Sequence, residues 1–503
     1  MIGATVAEVK EAVEPVSHKI SKSKIAASAK EWKEVETVSN QVALFGSRFA
    51  GLMLATDLMR HVGELSDVTA AQVKESRTEY RKASDTLAPF KRILNIYVSQ
   101  WFRNIGDSKK KKTAISPAVD FLRSKEAEFF IGTKDIYKTM NKLSEGDRQI
   151  AQTAIDAAKE KKFFHWELEF PEAFYSPRRG TTQVIEKKDD PGFDAITGNP
   201  PYDVFVESQY DLRSEAAGTG NLFGHFIIRG IHLTKPGGNF SFVVPLSLSC
   251  GSDYEEVRKI LYKNFGHLKT SHYSIRPAKL FPDVDQRITI FVAKEKDKMP
   301  CIVYSSRLYR FNDGEQAQVV LNAVTGNVGP KSEGYVPRVS DATGASIYKK
   351  IFAIKTTIDD FLSKDPDDPN NTKWWFHSVG RYWLKAYDSI PYFTRNRLQG
   401  ISTNLHEMVA TSGRAASVCV GIINSNLFYF WWIMQSDEFH LLTTEISSMP
   451  MPESLLSDNR LRNAVKSLMN DYQKNAIRKT LKIKTTIVEM DEIHARKSRP
   501  LIL

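Results

Sequence analysis

Cysteine is scarce in this 503-residue chain: there are three, Cys250, Cys301 and Cys419, far apart and odd in number. That scarcity argues against a disulfide framework and a closed zinc site, and it points to a reducing compartment. Long apolar runs are missing as well. The longest, near Leu427–Met434, is short and aromatic, well under the roughly 20 residues a membrane-spanning helix needs. Met1 to Val16 is polar and charged, without the apolar segment of a secretory leader. A cytoplasmic protein with no membrane partner is the expectation. No internal repeat is present. Acidic residues are in deficit, 59 against 70 Lys and Arg, leaving a formal charge of +11. Such an excess favours a polyanionic partner, although many cytoplasmic proteins share it.

The chain has the composition of a globular protein, 42% hydrophobic and 26% charged, with enough apolar material at this length to build large cores without disulfides. The length predicts two or three domains. Up to residue 160 the pattern is helical. Thr69-Ala-Ala-Gln72 has the form of a capping box, and a long periodic stretch runs from Val73 to Phe102. A lysine run, Lys109 to Lys112, sits in a polar loop and reads as solvated surface.

The character changes at Lys161. Phe163 to Pro171 alternates and is aromatic, which predicts a strand. Polar loops around Arg178-Arg179-Gly180 and Lys187–Gly192 lead to a short strand, Phe193-Asp194-Ala195-Ile196-Thr197, that stops at Gly198. A helix is expected from Asn221 to Leu233, ended by the turn chemistry of Lys235-Pro236-Gly237-Gly238. Apolar strands follow at Phe240–Pro245 and Arg287–Ala293. Between them Ser252-Asp-Tyr-Glu255 has capping-box form and opens a helix through Phe265. Helices alternating with buried strands predict an open α/β sheet. From about Cys301 the periodicity weakens and aromatics gather, among them Trp374, Trp375, Phe376, Tyr382 and Trp383. The expected organisation is a helical region over 1–160, an α/β region over 161–300 and an α+β region over 301–503.

Asn199-Pro200-Pro201-Tyr202 lies directly after the Phe193–Thr197 strand, and an open α/β sheet binds its ligands at the carboxyl ends of its strands. The consecutive prolines fix the local backbone and remove two N–H donors. Carbonyl oxygens, one amide side chain and one aromatic plate remain. Those parts suit a flipped adenine, whose exocyclic amine is a poor nucleophile because its lone pair is delocalised into the ring. Two acceptors on its N–H bonds, the Asn199 side-chain oxygen and the Pro200 carbonyl, would favour a more tetrahedral nitrogen. Tyr202 can stack on the extruded base. No general base is required if the proton leaves after methyl transfer.

The segment Gly192-Phe-Asp-Ala-Ile-Thr-Gly-Asn-Pro-Pro-Tyr202 resembles the catalytic motif of N6-adenine DNA methyltransferases, and more narrowly the type IIG restriction–modification methylases and their phage-defence relatives. His165-Trp-Glu-Leu-Glu-Phe-Pro-Glu-Ala-Phe174 resembles the segment that precedes their catalytic strand. Gly220-Asn-Leu-Phe223, Leu233-Thr-Lys-Pro-Gly-Gly238 and Val243-Val-Pro245 resemble their next helix and strand. Phe281 and the Arg287–Ala293 strand look like the later segment whose aromatic packs near the target base. Asn424-Ser-Asn-Leu-Phe-Tyr429 with Met449-Pro-Met-Pro452 resembles their target-recognition region. The resemblance implies a partial Rossmann-like, S-adenosylmethionine-dependent methyltransferase core with an N-terminal helical region and a C-terminal α+β target-recognition domain. It implies site-specific methylation of double-stranded DNA, with Asn199, Pro200, Pro201 and Tyr202 at the target amine and Phe281 against the base.

Those enzymes hold the donor on a Gly-rich loop upstream of the catalytic motif. Nothing of that form occurs between Met1 and Gly198, and Gly218-Thr-Gly-Asn-Leu-Phe-Gly224 reads as a loop and helix start. Asp194 is the candidate left for a donor contact. Met1-Ile-Gly-Ala-Thr5 resembles the point just after the donor-binding strands, and the chain ends where relatives continue. The expectation is a piece of a longer enzyme that needs a partner polypeptide carrying the donor motif. The rival is a catalytically silent DNA-recognition subunit. No metal is expected: His165, Glu167 and Glu169 read as structural, and Pro282-Asp283 with Glu295 and Lys296 has the wrong order for a nuclease. Core packing is favoured over nucleic-acid contact for the tryptophans, whereas Arg395 and Arg397 are candidates for DNA contact.

Overall fold

The helical periodicity of the first region forms Phe49–Glu64 (α1), Ala70–Ser99 (α2) and Glu145–Lys161 (α3). The computed structural model describes residues 49–100, 117–133, 135–177, 185–204, 218–329, 334–365, 368–380 and 383–493. Lys109–Lys112, Arg178-Arg179-Gly180, Ser214 to Ala217, Arg381-Tyr382 and both chain ends lie outside them. The described residues divide into two units that interleave in sequence. One takes residues up to Ile196 with Val204 and 232–238; the other takes 197–203, 218–231 and everything from 239 onward.

In the first unit, the Thr69 cap works as the capping box requires: Gln72 N–H donates to Thr69 Oγ1 at 3.3 Å and Thr69 N–H donates to Gln72 Oε1 at 3.1 Å. Ala83, Leu87, Phe90 and Leu94 of α2, spaced at four, three and four, are buried with Leu52 and Ala55 of α1 and Ala151 and Ala154 of α3. Each large side chain of this kind contributes about 1.5–3 kcal/mol by leaving water.

The aromatic segment from Phe163 to Pro171 is not the strand its alternation predicts. It forms two helical turns, Trp166–Glu169 and Pro171–Phe174. The spacing that wins is four, not two: Trp166, Phe170 and Phe174 all pack on Phe193, with ring centroids 5.4–5.6 Å away. Its polar residues are structural, as expected. His165 bonds Asn95 at 2.8 Å, Tyr175 donates to Glu167 at 2.9 Å, and Lys91 pairs with Glu169 at 2.7 Å. The short strands Tyr175–Pro177 (β1) and Ile185–Lys187 (β2) pair antiparallel after these turns.

Phe193–Gly198 (β3) and Thr234–Pro245 (β4) pass from one unit to the other. Gly192 begins β3 with φ +123°, and a Cβ there would lie 2.5 Å from the Leu233 carbonyl, so only glycine fits. Helix α4, Leu222–Leu233, leads into β4. The predicted turn at Lys235–Gly238 does not break the chain: β4 runs through it, with Gly237 taking φ +74°. The capping box predicted at Ser252 is also absent. Ser252 Oγ donates to Asp253 instead, and α5, Glu255–Asn264, starts one 3-10 turn later.

Phe265–Tyr273 (β5), Ile288–Lys296 (β6), Ile302–Tyr309 (β7) and Gly326–Asn327 (β8) complete a six-stranded sheet ordered β3-β4-β6-β5-β7-β8. β6 is antiparallel to both β4 and β5, and β7 is parallel to β5. Strands β4, β5 and β7 thus share a direction and β6 is reversed among them, giving a mixed α/β sheet.

A second core in the same unit surrounds Thr372–His377 (β9), Ala386–Tyr387 (β10) and Leu405–Ala410 (β13), antiparallel in the order β10-β9-β13. Trp374, Phe376, Trp431 and Trp432 are buried in it. The apolar helices Gly413–Ile423 and Asn426–Gln435, bent by 67°, are largely core; no single helix among the described residues is long and apolar enough to cross a membrane. Phe393–Arg395 (β11), Leu398–Gln399 (β12), Ile477–Ile483 (β14) and Thr486–Glu492 (β15) form a separate sheet ordered β12-β11-β15-β14.

Candidate active site

Strand β3 stops at Gly198, just before Pro200 and Pro201, which cannot donate to a ladder; a Cβ on Gly198 would lie 3.0 Å from the Phe242 ring, so a glycine fits there. Asn199 follows the strand directly and is exposed, Pro200 is buried and Pro201 is exposed. The prolines turn the chain so that Tyr202 comes back to Asn199. The Tyr202 hydroxyl lies 2.7 Å from Asn199 Oδ1 and 3.1 Å from the Val243 carbonyl of β4. A phenol has one proton, so it can serve only one of these acceptors fully.

The Tyr202 ring packs against the cluster of Tyr273, Ala278, Leu280, Ile288, Tyr309 and Phe311. Burial pushes its phenol up to about 12, so near neutral pH it is a hydrogen-bond donor. Phe281 follows Leu280 of that cluster and is 36% exposed, with its carbonyl accepting the Val284 N–H at 3.1 Å.

Residues that sequence reasoning assigned no role hold the loop in place. Asn221 Nδ2 donates to the Tyr202 carbonyl at 2.7 Å, while its Oδ1 accepts the Phe223 N–H at 3.2 Å. Leu222 N–H donates to the Asp203 carbonyl at 3.0 Å. Asn221 thus starts helix α4 and fixes the Asn199–Tyr202 loop at once. Below it Phe223 stacks on Tyr254 at 4.6 Å, and Tyr254 donates to the Thr219 carbonyl. An asparagine just before an apolar helix was the available signal, but its second partner is distant in sequence. The Val243 carbonyl carries no sequence signal, since every residue has one.

Asp194 is exposed on β3, and Lys235 holds its carboxylate at 2.5 Å, keeping its pKa below the usual range. Arg395 and Arg397 belong to the separate β12-β11-β15-β14 sheet, Arg395 ending β11 and Arg397 lying in the following turn.

Residues 54–281 match the family described as Eco57I restriction-modification methylase. Among solved structures, the chain is similar to a nuclease-deletion mutant of the type ISP restriction-modification enzyme LlaGI in complex with a DNA substrate mimic. The identity is 10%, 72% of this chain and 51% of that one are covered, and the TM-score is 0.31. It is also similar to DrdV in a DNA complex, at 9% identity, 74% and 52% coverage and TM-score 0.31. The type IIL enzyme MmeI in complex with DNA matches at 10% identity, with 66% and 58% coverage and TM-score 0.31. The chain spans about half the length of LlaGI and DrdV. The match runs from within α1 through the Asn199-Pro200-Pro201-Tyr202 loop to Phe281, so the segment that holds the candidate site is similar to the Eco57I restriction-modification methylase family.

Proposed function

We propose that the chain supplies the target-base half of a site-specific DNA adenine-N6 methyltransferase in a restriction–modification or phage-defence system. The observation that carries this reading is the Asn199–Tyr202–Val243 hydrogen-bond group at the carboxyl end of β3. A half-turn of the Asn199 amide would present its N–H to the Tyr202 oxygen and let the phenol give its proton wholly to Val243. Asn199 Oδ1 would then face outward as an acceptor for the adenine amine, alongside the Pro200 carbonyl. Tyr202, its hydroxyl held, offers its ring to the extruded base, and Phe281 packs beside it. The resemblance implies S-adenosylmethionine as the methyl source.

The resemblance places the donor on a Gly-rich strand and loop, and we assign that element to a partner polypeptide. The placement of β3 at the sheet edge, with Asp194, Ala195 and Thr197 exposed, supports such docking. The test is methyl incorporation into unmethylated duplex DNA, with nucleoside analysis of the product. The chain alone should transfer little, and adding the polypeptide of the adjoining upstream frame should restore N6-methyladenine. Asn199→Ala should cut the restored rate by about 10²–10³, the scale of losing one preorganised partner of a reacting group. Robust transfer by the isolated chain would remove the partner from the scheme. Product on cytosine would remove the adenine site, and an unaffected Asn199→Ala rate would put the silent recognition subunit in its place.

A further inference from the structure

We infer that the paired hairpin tips of the β12-β11-β15-β14 sheet form a phosphate-contact surface for duplex DNA, with Arg395, Arg397, Lys482 and Lys484 as its cations. The inference rests on the DNA reading above and adds a surface to it. The β11–β12 connection is a two-residue turn, Asn396-Arg397, with φ of +52° and +66°. That pair of left-handed residues is the geometry of a tight hairpin turn. The β14–β15 connection is another, Lys484-Thr485, with φ +54° at Lys484.

Register puts the two tips side by side. Arg395 lies opposite Val488, Asn396 N–H donates to the Ile487 carbonyl at 2.7 Å, and Ile487 N–H donates to Asn396 Oδ1 at 2.9 Å. Ile487 in turn lies opposite Lys482. Asn396, Ile487 and Lys482 thus form one row across three strands, about 10 Å from end to end.

The carboxylates of this sheet are already used: at the far end Arg478 pairs with Asp491 at 2.7 Å and Lys479 pairs with Glu492, and nearer the tips Thr394 donates to Glu489 at 3.4 Å. Arg395, Arg397, Lys482 and Lys484 are all exposed, and no ion pair joins them to a described carboxylate. Four like charges gathered at one end of the sheet, with Arg395 on the Val488 face and Lys482 on the Ile487 face, repel one another unless a polyanion lies across the tips. Spread over about 10 Å, they suit successive phosphates of a backbone better than one small anion. Leu398, 74% exposed beside the Asn396-Arg397 turn, offers an apolar contact of the kind a thymine methyl or sugar accepts.

The test uses the full chain and a fluorescein-labelled random-sequence duplex, with binding followed by anisotropy over a salt series. Arg397→Gly and Lys484→Gly suit the left-handed backbone, so these changes leave the turns intact; Arg395→Gln and Lys482→Gln complete the set. The fourfold variant should weaken binding at least tenfold at low salt and lower the log–log salt slope by about 2–4. Wild-type binding with an unchanged slope in the variant would overturn the surface while leaving the base site standing. Failure of the wild type to bind duplex would instead remove the DNA reading itself. Loss of binding to anionic phospholipid vesicles, with duplex binding intact, would reassign the surface to a membrane and overturn it.

Discussion

Tyr202 shows how one side chain can serve two purposes. Its ring belongs to the cluster around Tyr273 and Ile288, and its hydroxyl reaches Asn199 and Val243. Tyr202→Phe keeps the ring and removes the hydroxyl. It should cost about 1 kcal/mol of stability and lower the methylation rate of the reconstituted pair about tenfold, with duplex affinity unchanged. Equal losses in rate and affinity, seen in single-turnover kinetics against anisotropy titration, would show that the hydroxyl does not position Asn199. Asn424 is the structural counterpart. It is buried, accepts from Tyr472 at 2.7 Å and donates to the Ala386 and Val420 carbonyls at 2.9 Å, so each polar atom of its amide is engaged. Its segment resembles a recognition motif, yet these partners are core groups.

Among the elements, α4 and β4 approach most closely at a glycine. Gly230 of α4 faces the Phe240 ring of β4 so closely that a Cβ would lie 2.5 Å from it. Gly230→Ala should destabilise by about 1–3 kcal/mol, because neither a helix nor a fully buried ring can move freely in a packed interior. Gly63→Ala in α1, where nothing lies within 4 Å of the added carbon, should be neutral or stabilising by up to about 1 kcal/mol. Urea unfolding of both variants checks the pair, and equal effects would mean that the Phe240 contact is not close. The same logic explains the two helical turns at 166–174. Aromatic residues there satisfy either period, and the docking of Trp166, Phe170 and Phe174 on Phe193 selects the helical one.

At the scale of the molecule, a buried polar group joins the six-stranded sheet to the helical core beyond it. Glu438, 3% exposed, takes Arg287 at 3.2 Å and Arg310 at 2.6 Å, and Arg310 also donates to Tyr429. Removing one partner would leave a buried charge uncompensated. Glu445, nearby in sequence, forms no ion pair with an arginine among the described residues, although Arg338 lies close enough to lower its pKa slightly against burial. Burial, then Asp437, raises its carboxyl from 4.5 to about 7. Below pH 4.5 the folded and unfolded states both hold the proton, and no stability is lost. As pH rises toward 7 the unfolded chain releases a proton that the folded one keeps, so stability falls, and the full cost remains above 7. Glu445→Gln should therefore stabilise by about 2 kcal/mol at pH 8, shrinking to under about 1 kcal/mol at pH 5. Thermal unfolding at both pH values checks this, and a gain that does not shrink at low pH would assign it to something other than ionisation.

The sequence by itself determined what depends on neighbours along the chain. The Thr69 cap, the α2 periodicity, the strand that stops before Asn199 and the double-proline corner are local, because backbone restriction and side-chain spacing act over a few residues. Tertiary structure alone decided whatever needed a distant partner. It selected helix over strand at Trp166–Phe174, carried β4 through Lys235–Gly238 and placed the reversed β6 between β4 and β5. It also brought Asn221 to the Tyr202 carbonyl across 19 residues of sequence and Lys482 into one row with Asn396. The physical reason is that cross-strand register and close packing are fixed by groups far apart in the chain, and no local spacing records them.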